Sequence, residues 1–213
     1  MVQVMVFVLA LLFILASPFK GLKAQSVEEA LQRVQQFYSH TQSLRGSFTQ
    51  ETLFPNGNRE LRTGKIWMKK PGLFRWEYYT PEKFIIISDN RNIYVYYPEE
   101  NQVFVYPSGK ALSSQLALGF MSGRGDLRKD LKLESFKTLN EHSWEMNFLP
   151  AYQDNQVERI SLRVNLGSGE VQELLLHYFS GEKVRIVFKN IEYNLELPDK
   201  IFRFTPPKNV KIN

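Results

Sequence analysis

Few side chains in this sequence are of types that do covalent chemistry, and none stands at a spacing that would let it. The 213 residues include no cysteine, which removes thiol nucleophiles, thiolate zinc or iron–sulfur sites, disulfides and a lipidated N-terminal cysteine. His40, His142 and His177 share no metal-ligand spacing, so each reads as a surface or boundary histidine. The carboxylate pairs Glu99-Glu100 and Asp126/Asp130 lie among other charges and read as solvated groups, not as a general acid and base. Pro107-Ser108-Gly109-Lys110-Ala111 has the lysine of a phosphate loop but neither its upstream glycine nor its closing Ser/Thr. No Gly-x-Ser-x-Gly and no dinucleotide glycine pattern occurs either. No enzymatic activity, catalytic residue, metal or cofactor is expected.

What does recur at fixed spacing is large apolar side chains. Phe74, Trp76 and Tyr78 alternate with Arg75 and Glu77; Ile160, Leu162 and Val164 alternate with Ser161 and Arg163; Val184, Ile186 and Phe188 alternate with Arg185 and Lys189. A period of two puts each set on one face of a strand, so one side of the resulting sheet is oily and the other wet. Such a face has two outcomes: it curls until it fills itself, or it encloses a cavity for an apolar ligand.

The elements that carry these rows are legible from period and punctuation. Ser26-Val27-Glu28-Glu29 has the form of a capping box. The apolar positions Val27, Ala30, Leu31, Val34, Phe37, Tyr38, Thr41 and Leu44 then recur at three and four, which predicts a helix over about 25–45 ended by Gly46. From Ser47 the period becomes two, and turn residues such as Pro55-Asn56-Gly57-Asn58, Pro71-Gly72 and Ser180-Gly181 separate short runs. Eleven strands are expected, at about 47–54, 59–68, 73–79, 84–88, 92–97, 102–106, 132–138, 143–149, 157–165, 170–178 and 183–190. Short links between them argue for an antiparallel meander curled toward an open barrel. The interruption at 108–131, with Leu112, Leu116, Ala117, Leu118, Phe120 and Met121, predicts short helices apolar almost all round, with a second turn beginning at Asp126.

The N-terminus reads as an address. Val4 to Ala16 is an unbroken apolar run of thirteen residues, enough for a signal-peptide core but short of the roughly 18–20 that span a bilayer. Cleavage is placed after Ala24, leaving 25–213 as a single domain; an uncleaved anchor is the alternative. Removing residues 1–24 takes away Lys20 and Lys23 and no acid, so the +5 of the whole chain becomes +3, too mild for a nucleic-acid protein. A secreted chain without cysteine suits a bacterial periplasm, where a good core replaces disulfides.

Three blocks of sequence resemble a known family, the periplasmic outer-membrane lipoprotein carriers of the LolA type. They are Leu44-Arg45-Gly46-Ser47-Phe48-Thr49-Gln50, then Gly64 to Tyr78 with Pro81 and Ile87-Ser88-Asp89-Asn90, and the ending Phe202-Arg203-Phe204-Thr205-Pro206-Pro207. The resemblance implies a mainly β fold: a strongly curved antiparallel sheet of about eleven strands, an incomplete barrel with a lid of short helices over 108–131. It implies a monomer that takes acylated lipoproteins from an ATP-driven inner-membrane complex, shields their acyl chains and delivers them to an outer-membrane receptor. Lacking cysteine, this chain resembles the soluble carrier and not the anchored receptor. The implied acyl-chain cavity is Phe48, Trp67, Phe74 and Trp76 from the sheet with Leu31, Leu116 and Leu118 from the helices. At the position before the proline, where the family's arginine ties sheet to lid, this sequence has Lys70, a single ammonium in place of a five-donor fork. Two other roles suit the same fold: a carrier of free lipid or glycolipid, and a lipid-sensing regulator of envelope stress, which would need an additional domain.

Overall fold

The computed structural model describes residues 27–108, 126–151 and 156–213. Helix α1 (Val27–His40) leads into six strands, β1 (Ser43–Leu53), β2 (Arg59–Lys69), β3 (Leu73–Thr80), β4 (Phe84–Asp89), β5 (Asn92–Tyr97) and β6 (Gln102–Pro107). A one-turn helix α2 (Leu127–Asp130) precedes β7 (Leu131–Asn140), β8 (Ser143–Pro150), β9 (Val157–Asn165), β10 (Val171–Tyr178) and β11 (Lys183–Tyr193); a 3₁₀ turn (Asp199–Phe202) and β12 (Lys211–Ile212) follow. All twelve strands form one sheet in the order β12-β6-β5-β4-β3-β2-β1-β11-β10-β9-β8-β7. Two antiparallel meanders are thus joined where β1 pairs with β11.

The sheet is curved tightly enough to pack on itself. On a flat sheet β3 and β10 would lie about 19 Å apart, four strand spacings, yet Trp76 and Leu174 line one slot, and the Trp76 ring is 6.4 Å from that of Phe188 on β11. The concave face holds a single core cluster with members from both meanders, including Phe48, Ile66, Trp76, Trp144, Ile160, Leu174 and Ile186. Between the ends β7 and β12 no pairing closes the barrel among the described residues. The expected curved, open sheet is therefore found, and its alternating apolar rows are what face inward.

Three features differ from the sequence reading. The helix stops at His40, not Gly46: Thr41 makes the last helical bond, with its amide (3.1 Å) and its hydroxyl (2.9 Å) both donating to the Phe37 carbonyl, and the chain enters β1 at Ser43. Gly46 lies inside β1 instead, where two residues of β11, Asn190 and Ile191, face it in a bulge, and a Cβ there would collide with the Ile191 side chain. A twelfth strand, two residues long and parallel to β6, was too short to show a period. Residues 109–125, with most of the expected helical segment, lie outside the described residues, but a turn does begin at Asp126, whose carboxylate accepts from the Arg128 and Lys129 amides.

A second, smaller apolar layer covers the convex face. Ile87, Val103, Leu197 and Phe202 are buried outside the main cluster, and the Phe204 ring lies 5.1 Å from Tyr94 and 5.3 Å from Tyr96. The Phe-x-Phe ending of the sequence thus anchors the C-terminal segment, helped by Lys69 to Asp199 (2.6 Å) and by Arg75 Nη1 donating to the Ile201 carbonyl (3.2 Å).

Candidate functional site

Inside the curve lies an apolar slot of about 250 Å³, lined on one side by Phe74, Trp76, Tyr78 and Ile86 and on the other by Leu174, Leu176, Tyr178, Val184 and Ile186, with Gln50 and Glu182 at one end. The slot lies between the aromatic row of β3 and the residues that β10 and β11 turn toward it. Its wall is braced from behind. The Phe48 ring packs 4.7 Å from Trp76 and 5.0 Å, edge on, from Tyr78, and it fits only because its neighbour across the ladder is Gly64. A Cβ at Gly64 would come within 2.6 Å of the Phe48 ring and strike the Glu77 carbonyl.

The polar groups here are few and mostly mutually satisfied. Tyr78 donates its hydroxyl to Gln50 Oε1 at 3.0 Å, and burial pushes the Tyr78 phenol above its ordinary pKa. At the same end Arg62, on the inward-facing row of β2, sits 5.2 Å from the Phe84 ring centroid and is paired with Glu60 and, at 3.9 Å, with Glu82. Such a site grips by area and dispersion, with no hydrogen-bond pattern to demand a particular ligand.

The expected site residues that fall within the described residues each have a place. Phe74 and Trp76 line the slot, and Phe48 stands behind them; all three are buried. Leu31 of α1 is half-buried against the same cluster. Leu116 and Leu118 lie outside the described residues. Trp67 is a correction: Ile66 and Met68 point into the core, so alternation turns Trp67 to the convex face, where its ladder neighbours are Arg45 and Arg75. Lys70 donates to the carbonyl of Tyr38 in the last turn of α1. A cation at a helix C-terminus meets unsatisfied carbonyls and the negative end of the dipole, while burial lowers the Lys70 pKa. Lys70 therefore ties β2 to α1.

Two groups of residues escaped the sequence reading. Leu174, Leu176 and Tyr178 complete the slot, and the only sign was the same alternation on a strand whose neighbours were unknown. The anchoring of α1 was also hidden, since it is long-range: the buried Tyr38 hydroxyl accepts from the Val171 amide (3.2 Å), Arg33 donates to the Leu166 carbonyl (3.1 Å), and the Phe37 ring meets Tyr193 edge on at 4.9 Å. The carboxylate pair Asp126/Asp130 proves to be a helix cap, with Asp130 accepting from the Asp126 amide at 2.6 Å. Two larger hollows, of about 610 and 570 Å³, are surface troughs rich in charged groups, one beside Glu29, Arg33 and His40, the other beside Asp89, Arg91 and Arg203. Size alone would favour them, but their lining does not suit an apolar ligand. No helix among the described residues is long and apolar enough to cross a membrane.

Comparison with known proteins gives the arrangement a family. The family described as "Outer membrane lipoprotein carrier protein LolA" matches residues 39–205. An outer-membrane lipoprotein carrier protein of Chromobacterium violaceum is 30% identical over 192 residues, covering 90% of this chain and 91% of its own. One from Dechloromonas aromatica is 29% identical over 184 residues, 86% of each chain. Among solved structures, an uncharacterized conserved protein from Thermus thermophilus superposes with a TM-score of 0.55 at 15% identity, over 89% of this chain and 99% of that one; at that identity the likeness concerns the fold alone. With the family pattern running from the end of α1 through strands β1 to β11 and into the Phe-x-Phe ending, this chain belongs to the LolA family of outer-membrane lipoprotein carrier proteins.

Proposed function

We propose that this protein is a periplasmic carrier that shields the acyl chains of lipoproteins between an ATP-driven release complex in the inner membrane and a receptor at the outer membrane. The observation that carries this reading is the aromatic and aliphatic slot on the concave face in a chain of this family. Each methylene moved out of water gains roughly 0.8 kcal/mol, so free acyl chains would aggregate or return to a membrane. A slot without a hydrogen-bond pattern matches that gain for chains of many lengths, and cargo moves on when a partner offers more apolar surface. The N-terminal run Val4 to Ala16 serves as the export signal in this account, cleaved after Ala24.

The test is release. Purified protein added to spheroplasts with labelled lipoproteins is expected to bring an acylated lipoprotein into the soluble fraction, bound one to one. If nothing is released while mass spectrometry finds phospholipid or glycolipid on the purified protein, the carrier of free lipid on the same fold replaces this reading.

A further inference from the structure

The charge of this protein is unevenly placed. Residues 25–197 carry as many basic as acidic side chains, and the whole +3 of residues 25–213 comes from residues 198–213, where Lys200, Arg203, Lys208 and Lys211 stand against Asp199 alone. All four cations are exposed. The segment that bears them is held down along its length: Lys69 donates to the Leu197 carbonyl at 2.9 Å, Asn101 donates to the Asn209 carbonyl at 3.0 Å, and β12 runs beside β6. A segment already fixed loses little freedom on meeting an anion.

We propose that the trough beside this segment, with Arg91 and Arg203 on its walls, binds an acidic segment of a partner protein, each guanidinium taking a carboxylate. The site goes beyond the carrier reading and does not depend on it, because the sheet stands between this trough and the slot. Its volume, about 570 Å³, lies within the ~300–1,000 Å³ of usual ligand pockets. The first support is which charges are spoken for. Asp89 Oδ1 accepts from the Arg91 and Asn92 amides at 2.9 and 2.7 Å, Asp89 Oδ2 accepts from the Tyr94 hydroxyl at 3.2 Å, and Asp199 is paired with Lys69 at 2.6 Å. The Arg91 and Arg203 guanidiniums are attracted by these carboxylates, yet neither has a side-chain hydrogen bond or ion pair among the described residues. Two planar donor forks therefore face one hollow whose acids are already engaged, an arrangement that matches carboxylates bidentately. The second support is the rest of the lining. Leu73 and Phe204 give the trough apolar surface and Thr205 a hydroxyl, which suits a polypeptide with an aliphatic side chain between its acids. A bilayer is met by basic clusters standing out from a surface, whereas these two arginines line a recess that single side chains can enter.

The probe is a fluorescently labelled peptide, Glu-Glu-Leu-Glu-Glu, with its glutamine counterpart as control, titrated by anisotropy into the purified protein at low salt. The unaltered protein is expected to bind the glutamate peptide and not the glutamine one, with affinity falling as salt is added. Arg91→Gln/Arg203→Gln is expected to bind at least about fivefold more weakly, since it removes both charge-assisted forks. Lys65→Gln/Lys189→Gln takes the same charge from either side of Ser47 on the convex face and is expected to stay within about twofold of the unaltered protein, as screened charges outside the trough should. No binding of the glutamate peptide overturns the proposal, as does equal weakening by the two double variants, which would make net charge the only cause. The unaltered protein supplies a second readout: on adding the peptide, amide NMR shifts are expected to move at residues 89–92 and 199–205, and movement elsewhere without these refutes the site. Arginine-dependent sedimentation with phosphatidylglycerol vesicles, in the absence of peptide binding, would replace the protein partner with a lipid surface.

Discussion

Gly64→Ala isolates the packing that shapes the slot. The added Cβ would lie 2.6 Å and 2.8 Å from the nearest Phe48 ring carbons, where ordinary contact begins at 3.4 Å, and would also press on the Glu77 carbonyl of β3. Phe48 must retreat by almost an ångström, toward Trp76 at 4.7 Å and Tyr78 at 5.0 Å. The backbone carbonyl has less room to yield than the ring. Overpacking of this kind costs about 1–3 kcal/mol, against a gain of roughly 0.5–1 kcal/mol from removing glycine from a strand. The net loss is about 1–2 kcal/mol, or some ~2–8 °C in Tm for a domain of this size. Differential scanning calorimetry measures it, and a Phe48→Leu partner completes a double-mutant cycle in which the two changes should couple favourably by about 0.5–1 kcal/mol. A Gly64→Ala protein as stable as wild type, or strict additivity with Phe48→Leu, would show that Phe48 does not depend on the space at Gly64.

Three further outcomes follow from the same geometry. Phe74→Glu places a carboxylate in the slot wall and should abolish acyl-chain binding with a near-native circular dichroism spectrum, while Trp67→Ser on the convex face should leave binding unchanged; the reverse pattern would put the site on the wrong side of the sheet. Lys70→Leu removes the cation from the Tyr38 carbonyl and should cost about 1–2 kcal/mol in urea unfolding; no loss would mean that the bond holds nothing in place. Glu173, bound by Arg185 at 2.7 and 2.8 Å and by Arg163 at 3.3 Å, has a carboxyl pKa held below its ordinary value chiefly by the Arg185 hydrogen bonds. A depressed folded pKa gives stability that is complete above the unfolded carboxylate range near ~4.3 and is lost as pH falls through the folded value. Glu173→Gln should therefore destabilise at neutral pH but lose less on acidification below pH ~4, and parallel pH–stability curves for the two proteins would contradict this.

The fold was legible because its signals are local. Period-two rows and turn residues place eleven strands within a few residues of where they stand, and the inward rows at 74–78, 160–164 and 184–188 are the ones alternation indicates. What stayed hidden depends on partners distant in sequence. Gly46 looks like a helix stop until β11 is laid beside it; Gly64 looks incidental until the Phe48 ring is seen across it. Leu174 and Leu176 become slot residues only once the sheet curves β10 round to face β3. Trp67 is a different kind of miss, since alternation puts it on the same face as Lys65 and Lys69, a sign of the wet side that the sequence already carried.

The central claim is that acyl chains occupy the concave slot, and the tryptophans report on it directly because Trp76 lines the slot and Trp67 faces outward. Two single-tryptophan proteins, one keeping Trp76 and the other Trp67 with the remaining tryptophans changed to Phe, are titrated with a fatty acid brominated along its chain. Contact quenching of Trp76 with little effect on Trp67 is the predicted result. Quenching of Trp67 alone, or of neither while the fatty acid binds, would place the chain somewhere other than the slot.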